Sequence, residues 1–327
     1  MSTAAFGTRW LGSGINDTNG YHSDASDSAQ FCRYLRQLAR GVESPNAKAD
    51  RGVAGSMYEN LVVSADWLAD HLDDVRVVDV RDAWEFDGIG HVPGAVSIPF
   101  DSFRSDVGDE GMLPGTAVWT DLMNEAGIDE DDTIVAYDDT HGVFAARFLV
   151  TAELYGHRDL HLLNGDFSAW SREHEVEREA REFPESEYAV RDPEHSPLVG
   201  YEYVLDAVDR VADADAAGDG AGDDVVIVDT REPEEYAESH VPGAVQLDWL
   251  ELVDDDSRGL KPRAELESIL ADRGITPDKE VVLYCNTARR ISHTYVVLRQ
   301  LGYEHVAFYE GSLTEWQERG GPVEREA

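Results

Sequence analysis

The chain contains itself twice, and that fact limits its fold more than any other. The stretches "VVDVRDAWEFDGIGHVPGAVSIPF" (77–100) and "IVDTREPEEYAESHVPGAVQLDWL" (227–250) are near copies. Asp79 and Arg81 match Asp229 and Arg231, Glu85 and Phe86 match Glu235 and Tyr236, and His91 through Ala95 match His240 through Ala244. The first copy holds one extra residue between its aromatic and its histidine. Later blocks keep the same order. "TIVAYDDT" (133–140) parallels "EVVLYCNT" (280–287), and "LLNGDFSAW" (162–170) parallels "FYEGSLTEW" (308–316). Asp138 lies 27 positions before Gly165, and Cys285 lies 26 before Gly311. Shared order at near-constant spacing over ~100 residues marks a tandem domain duplication. A length of 327 residues agrees, because single cores stop growing at ~250–300 residues.

Each copy alternates strand and helix signals. In the second, 202–213, 263–274 and 291–302 have helical spacing, and 225–229, 245–249, 280–285 and 305–311 read as strands. Such alternation predicts α/β domains, each a parallel sheet flanked by helices on both faces. The acidic Gly/Ala/Asp run at 212–224 reads as a loop, and the charged, proline-containing stretch 173–200 as an exposed linker. Residues 1–56 match neither copy and read as a poorly structured extension, with a short helix at 31–42. One reading makes Met57 the true start. The expected organisation is 1–56 extension, 57–172 first domain, 173–200 linker and 201–322 second domain.

Charge narrows the partners. There are 67 acidic against 27 basic residues, a net of −40 spread along the chain. Lysine occurs only at 48, 261 and 279, so the cations are mostly arginine. Like charge at this density opposes a compact fold, and ~1 M salt relieves it by shortening the screening length to ~3 Å. The composition resembles that of proteins from salt-in halophiles. Nucleic acids and anionic membranes are poor partners for such a field, and a small anionic substrate needs a local positive pocket. The apolar share of 42% is that of a globular chain. No apolar run reaches the ~18–20 residues of a membrane span, and no signal peptide is readable. The chain reads as soluble and cytoplasmic, with Cys32 and Cys285 as free thiols.

Cys285 carries the chemistry. It ends the strand "VVLYC", and a polar turn with two arginines leads from it into a helix. Ligands of parallel α/β domains gather at the carboxyl ends of strands. Backbone amides in the turn and the positive end of the helix favour an anion there, hence the thiolate, which is the nucleophile. Arg289 and Arg290 add donors for an oxyanion. A small buried core cysteine is the alternative, and the turn "NTARR" suits it poorly.

The paired "DxR…E[FY]…HVPGA" segments, the "YC" loop ending in arginine and the later "G…W" resemble the tandem-domain rhodaneses, a sulfurtransferase family, over about residues 60–320. The resemblance implies two tandem rhodanese-like domains, with a nucleophilic cysteine in the second only. Cys285 aligns with Asp138 of the first copy. It further implies a thiosulfate sulfurtransferase in which Cys285 takes the sulfane sulfur as a persulfide and passes it on. The donor is a small anion, and the acceptor cyanide, a thiol or a thioredoxin-like protein. No cofactor and no metal are implied. Residues Asn286, Thr287, Ala288, Arg289 and Arg290 would line the substrate and steady the persulfide. Arg290 and Arg231 are the first choices for the sulfonate end. Arg231 has a salt bridge to Asp229 or Glu235 as its alternative role, given its twin Arg81.

Ala288 stands where many single-domain rhodaneses have glycine, which predicts a slightly altered loop backbone. Uncharged loops typify 3-mercaptopyruvate sulfurtransferases, so two arginines favour the thiosulfate dianion. The enzyme alternatives are that mercaptopyruvate activity, a persulfide carrier, or a phosphatase or arsenate reductase on the same fold. The last needs its arginine at 291, which is isoleucine. A non-catalytic interaction module suits the first domain better than the second. His91 and His240 recur with and without a cysteine, so they read as structural, and His293 as exposed or packed. No Cys/His spacing suggests a metal, and Cys32 reads as a bystander.

Overall fold

Strand and helix signals resolve into two five-stranded parallel sheets of identical topology. The computed structural model describes residues 60–104, 112–181, 183–193, 195–217 and 224–326. The readings placed on residues 1–56, on Met57 and on Cys32 lie outside these. The first sheet is built from β1 (Val62–Val63), β2 (Arg76–Asp79), β3 (Val96–Ser97), β4 (Ile134–Tyr137) and β5 (Leu160–Leu163) in the order β1-β5-β4-β2-β3. The second uses β6 (Leu198–Val199), β7 (Val225–Asp229), β8 (Val245–Gln246), β9 (Glu280–Tyr284) and β10 (Val306–Tyr309) in the order β6-β10-β9-β7-β8. All residues of β4, β7 and β10 are buried, as central strands covered on both faces must be.

Helices pack on both faces. In the first half they are α1 (Ala65–His71), α2 (Ala83–Gly88), α3 (Thr116–Glu125), α4 (Val143–Leu154) and α5 (Phe167–Glu173). In the second they are α6 (Tyr201–Ala217), α7 (Pro233–Glu238), α8 (Arg263–Ala271), α9 (Arg289–Leu301) and α10 (Ser312–Glu318). No described helix is long and apolar enough to cross a membrane. The duplicated motifs hold each half together identically. Asp79 and Asp229 close on Arg81 and Arg231 at 2.6 Å. The hydroxyls of Tyr137 and Tyr284 accept the amides of Val92 and Val241 at 3.1 and 3.0 Å. His91 and His240 stack on Phe86 and Tyr236 at 3.8 Å, with Nδ1 against the same residues' carbonyls. Both histidines are buried fold elements beside glycines, Gly94 and Gly243, whose φ of +75° and +72° few other residues adopt.

Both sheets belong to one unit, Lys48–Ala327, and α4 and α9, each buried along most of its length, pack against each other at the seam. Buried Arg147 of α4 pairs with Glu310 at 2.5 Å, and the Tyr295 hydroxyl donates to Glu153 at 3.0 Å. Val143 and Phe144 of the first half share an apolar cluster with Trp249 and Val253 of the second.

Two stretches differ from their sequence reading. The helix expected at 202–213 runs to Ala217, taking in half of the supposed acidic loop. Ala212, Ala214, Ala216 and Ala217 supply the helix propensity that the aspartates obscure. Most of the stretch 173–200 folds back on the first domain, and Leu198–Val199 joins the second sheet as β6. Glu177 pairs backbone-to-backbone with His91. Phe183 lies 4.4 Å below the Arg76 guanidinium, and Tyr188 is buried with its amide on Asn124. Two aromatic residues and one backbone pairing fasten it despite its many charges.

Candidate active site

Cys285 sits at the carboxyl end of β9, and Asn286–Ala288 turn the chain into α9. The turn requires a left-handed residue, and Ala288 supplies it at φ +65°, ψ −11°. The alanine therefore takes the glycine conformation rather than altering the loop, at a cost of about 1–2 kcal/mol. Cys285 is only 1% exposed. Its amide donates to Ser312 Oγ at 3.1 Å, its carbonyl accepts Leu313 N at 2.9 Å, and Ser312 Oγ lies 4.0 Å from Sγ. Ser312 is itself buried and left-handed, at φ +51°. Thus β10 and the start of α10 fix the cysteine from behind.

The twin turn shows what such a turn holds. Asp138 follows β4 as Cys285 follows β9. Its carboxylate accepts four backbone amides, from Thr140 at 2.7 Å, Gly142 at 2.8 Å, Phe144 at 2.7 Å and Ala145 at 3.0 Å. Two of these are first-turn amides of α4, which have no acceptor within the helix. Burial pushes the Asp138 carboxyl above its ordinary range, and the four amides pull it back. The architecture is an anion cradle. In the first half it is filled by the chain's own carboxylate, and Cys285 takes the matching position after the strand in the second. The first turn is one residue longer, with left-handed Gly142 where the second has Ala288, which accounts for the 27-against-26 spacing.

The arginines are held differently from one another. Arg231 is buried, with Nε and Nη2 on Asp229 and Nη2 also on the Ser239 carbonyl at 2.6 Å; Nη1 reaches Asn286 Oδ1 at 3.4 Å. Arg290 pairs with both oxygens of Glu235, one at 3.1 Å. Asn286 Nδ2 donates to the same carboxylate at 2.7 Å, and Thr314 donates to the Asn286 carbonyl at 2.9 Å. Burial alone would raise Glu235, but hydrogen bonds and charge from Arg290, with Asn286, hold it below its ordinary value. Thr287 is exposed on the rim. Arg289 is half-buried, with its guanidinium 5.0 Å from the centroid of Phe144. Desolvation and Arg290 lower its pKa; the Cys285 charge opposes this and Arg104 adds to it.

His293, one turn along α9, is fully buried edge-on to Trp249 at 5.0 Å. Neither ring nitrogen has a hydrogen-bond partner among the described residues, and burial lowers its pKa to about 3. It stays neutral near pH 7 and is packed rather than exposed. The sequence reading did not single out Ser312, nor Phe144 and Arg104 of the first domain. Ser312 follows Gly311 in the repeated "G…W" block and was findable there; the first-domain groups meet the site only through the seam.

The family model of the rhodanese-like domain matches residues 64–173 and 213–319. A putative thiosulfate sulfurtransferase of Haloferax volcanii is 32% identical over 292 residues, covering 82% of this chain and 97% of its own. The thiosulfate sulfurtransferase of Pseudomonas aeruginosa is 34% identical over 269 residues, covering 78% and 93%. The sulfur carrier protein TtuD of Thermus thermophilus is 32% identical, covering 80% and 95%. Among solved structures, the 3-mercaptopyruvate sulfotransferase SseA of Escherichia coli superimposes with a TM-score of 0.67 at 26% identity, covering 77% of this chain and 98% of that one. Duplicated motifs, twin parallel sheets and matched relatives agree that this chain belongs to the rhodanese family, with two rhodanese-like domains in tandem.

Proposed function

We propose that this chain moves the sulfane sulfur of thiosulfate to cyanide or a thiol through a persulfide on Cys285. The observation that carries the reading is the cradle. The turn that binds a carboxylate with four amides in the first half presents a cysteine in the second. Relatives named thiosulfate sulfurtransferase over most of the chain agree with it.

The Cys285 thiolate attacks the outer sulfur of thiosulfate. A new sulfur–sulfur bond forms, the old one breaks, and its electron pair leaves with sulfite. The terminal sulfur of the persulfide carries the negative charge, toward the amides of the turn. Cyanide or a thiolate then takes that sulfur and returns the cysteine thiolate, a ping-pong sequence. Asn286, oriented by Glu235 and Arg231, and Ala288, with its left-handed backbone, hold the turn in shape. Arg290 neutralises Glu235 beside the cradle. Thr287 sits on the rim, where an acceptor enters.

Intact-mass analysis after thiosulfate tests this. The expected result is a gain of one sulfur, removed by cyanide and absent in Cys285→Ser. Full turnover in Cys285→Ser would overturn the assignment. Transfer from 3-mercaptopyruvate is the second reading, favoured by the likeness to SseA, and a sulfur-carrier role the third, favoured by the likeness to TtuD. We also read the net charge of −40 as adaptation to a salt-rich cytoplasm, with small anions and thiols, not nucleic acid or membrane, as partners.

A further inference from the structure

A thiosulfate dianion needs charged donors for its sulfonate oxygens. Two arginines of the catalytic half are already committed, Arg231 to Asp229 and Arg290 to Glu235. Arg289 has no carboxylate partner among the described residues. It lies instead over the ring of Phe144, at 5.0 Å, and Phe144 belongs to the other domain. Phe144 packs edge-on against Phe100 at 4.7 Å, and the Arg104 guanidinium lies 5.5 Å from the Phe100 centroid. Two aromatic rings of the first domain thus link a guanidinium from each domain. The two cations are near enough to feel each other, since Arg104 helps to depress Arg289.

Arg104 has one carboxylate contact among the described residues, Asp101 at 3.0 Å, whose side chain is 75% exposed. Exposed pairs of this kind contribute little and exchange readily for a better anion. Two under-compensated guanidiniums joined through Phe144 and Phe100 are unexpected in a chain with 67 acids. They become reasonable where a ligand brings the negative charge.

We propose that Arg104, from the domain without a cysteine, joins Arg289 in binding the sulfonate end of the sulfur donor. The assignment rests on the thiosulfate reading above. The donor site then spans both domains, and the second cation selects a dianionic donor over a monoanionic one. Arg104→Gln and Arg104→Lys in the full chain test it, with the two half-reactions measured apart. Loading of Cys285 by thiosulfate is followed by intact mass against donor concentration, and discharge of the loaded enzyme by cyanide is followed separately. Arg104→Gln should raise the half-saturating thiosulfate concentration by about tenfold or more, the scale of one charged hydrogen bond. Discharge should stay within about twofold, and Arg104→Lys should restore most of the loading. Unchanged loading overturns the assignment, and so does an equal loss in both half-reactions, which marks a structural role. If the unaltered protein takes no sulfur from thiosulfate, the donor reading fails and the Arg104 assignment fails with it.

Discussion

His293 ties the seam beside the active site to pH. Unfolded, it titrates near 6.5; folded, burial holds its pKa at about 3, with His141 adding to the effect. Between these values the unfolded chain binds a proton that the native one refuses. Stability is therefore fully present above about 6.5 and falls as the pH drops toward 3. Between pH 7 and pH 5 the loss from this one group is about 2 kcal/mol. Carboxylates titrate over part of the same range, so the comparison needs a variant. His293→Leu keeps an apolar contact for Trp249 and removes the titration. Thermal unfolding of both proteins at pH 7 and pH 5, in equal high salt, isolates the difference. The unaltered protein should lose about 4–8 °C more than the variant on acidification. Parallel losses would refute the reasoning, because they would mean that the native fold accommodates the imidazolium at this position.

Three other perturbations have definite signs. Arg290→Gln should cut kcat/KM for thiosulfate about tenfold by leaving Glu235 uncompensated beside the dianion, and adding Glu235→Gln should recover most of that loss; a double variant as slow as the single would place Arg290 on the substrate instead. Asp138→Ala leaves four buried amides without an acceptor, so it should cost at least about 3 kcal/mol of stability in chemical denaturation while kcat of the folded enzyme stays within a few-fold. Melting temperature and activity should both rise toward molar salt as the net charge of −40 is screened, and best performance in dilute buffer would contradict the charge argument.

What the sequence made legible was whatever the repeat states twice. The twin sheets, the ion pairs of Asp79 with Arg81 and Asp229 with Arg231, and the structural histidines follow from comparing the copies. Cys285 emerged locally, from a strand end followed by a polar turn with two arginines. Contacts made once were hidden. Arg290 looked like a free cation because Glu235, 55 positions earlier, is equally a helix-capping residue of α7. Arg104 and Phe144 gave no signal, since nothing local says that one domain's loop lies against the other's helix. Burial of Cys285 was the alternative that the polar turn argued against, yet the residue is buried with its sulfur 4.0 Å from Ser312 Oγ.

The cysteine-less domain is more than a relic. Arg258 of the second domain holds both carboxylate oxygens of Asp166, at 2.8 and 2.7 Å, and the Asp139 carbonyl at 3.2 Å, beside the turn that Asp138 fills. The first cradle is thus closed from inside by its own anion and flanked by a guanidinium from the other half. Removing that anion would leave four amides without an acceptor. The turn after β9 is one residue shorter and carries a thiol at the position of that carboxylate. A thiol can gain and lose an atom, whereas Asp138 can only stay. On the proposed function, the first turn serves as a fixed joint between the halves and the second as the seat of the persulfide. The two copies remain coupled because α4 and α9 start at these turns and pack against each other.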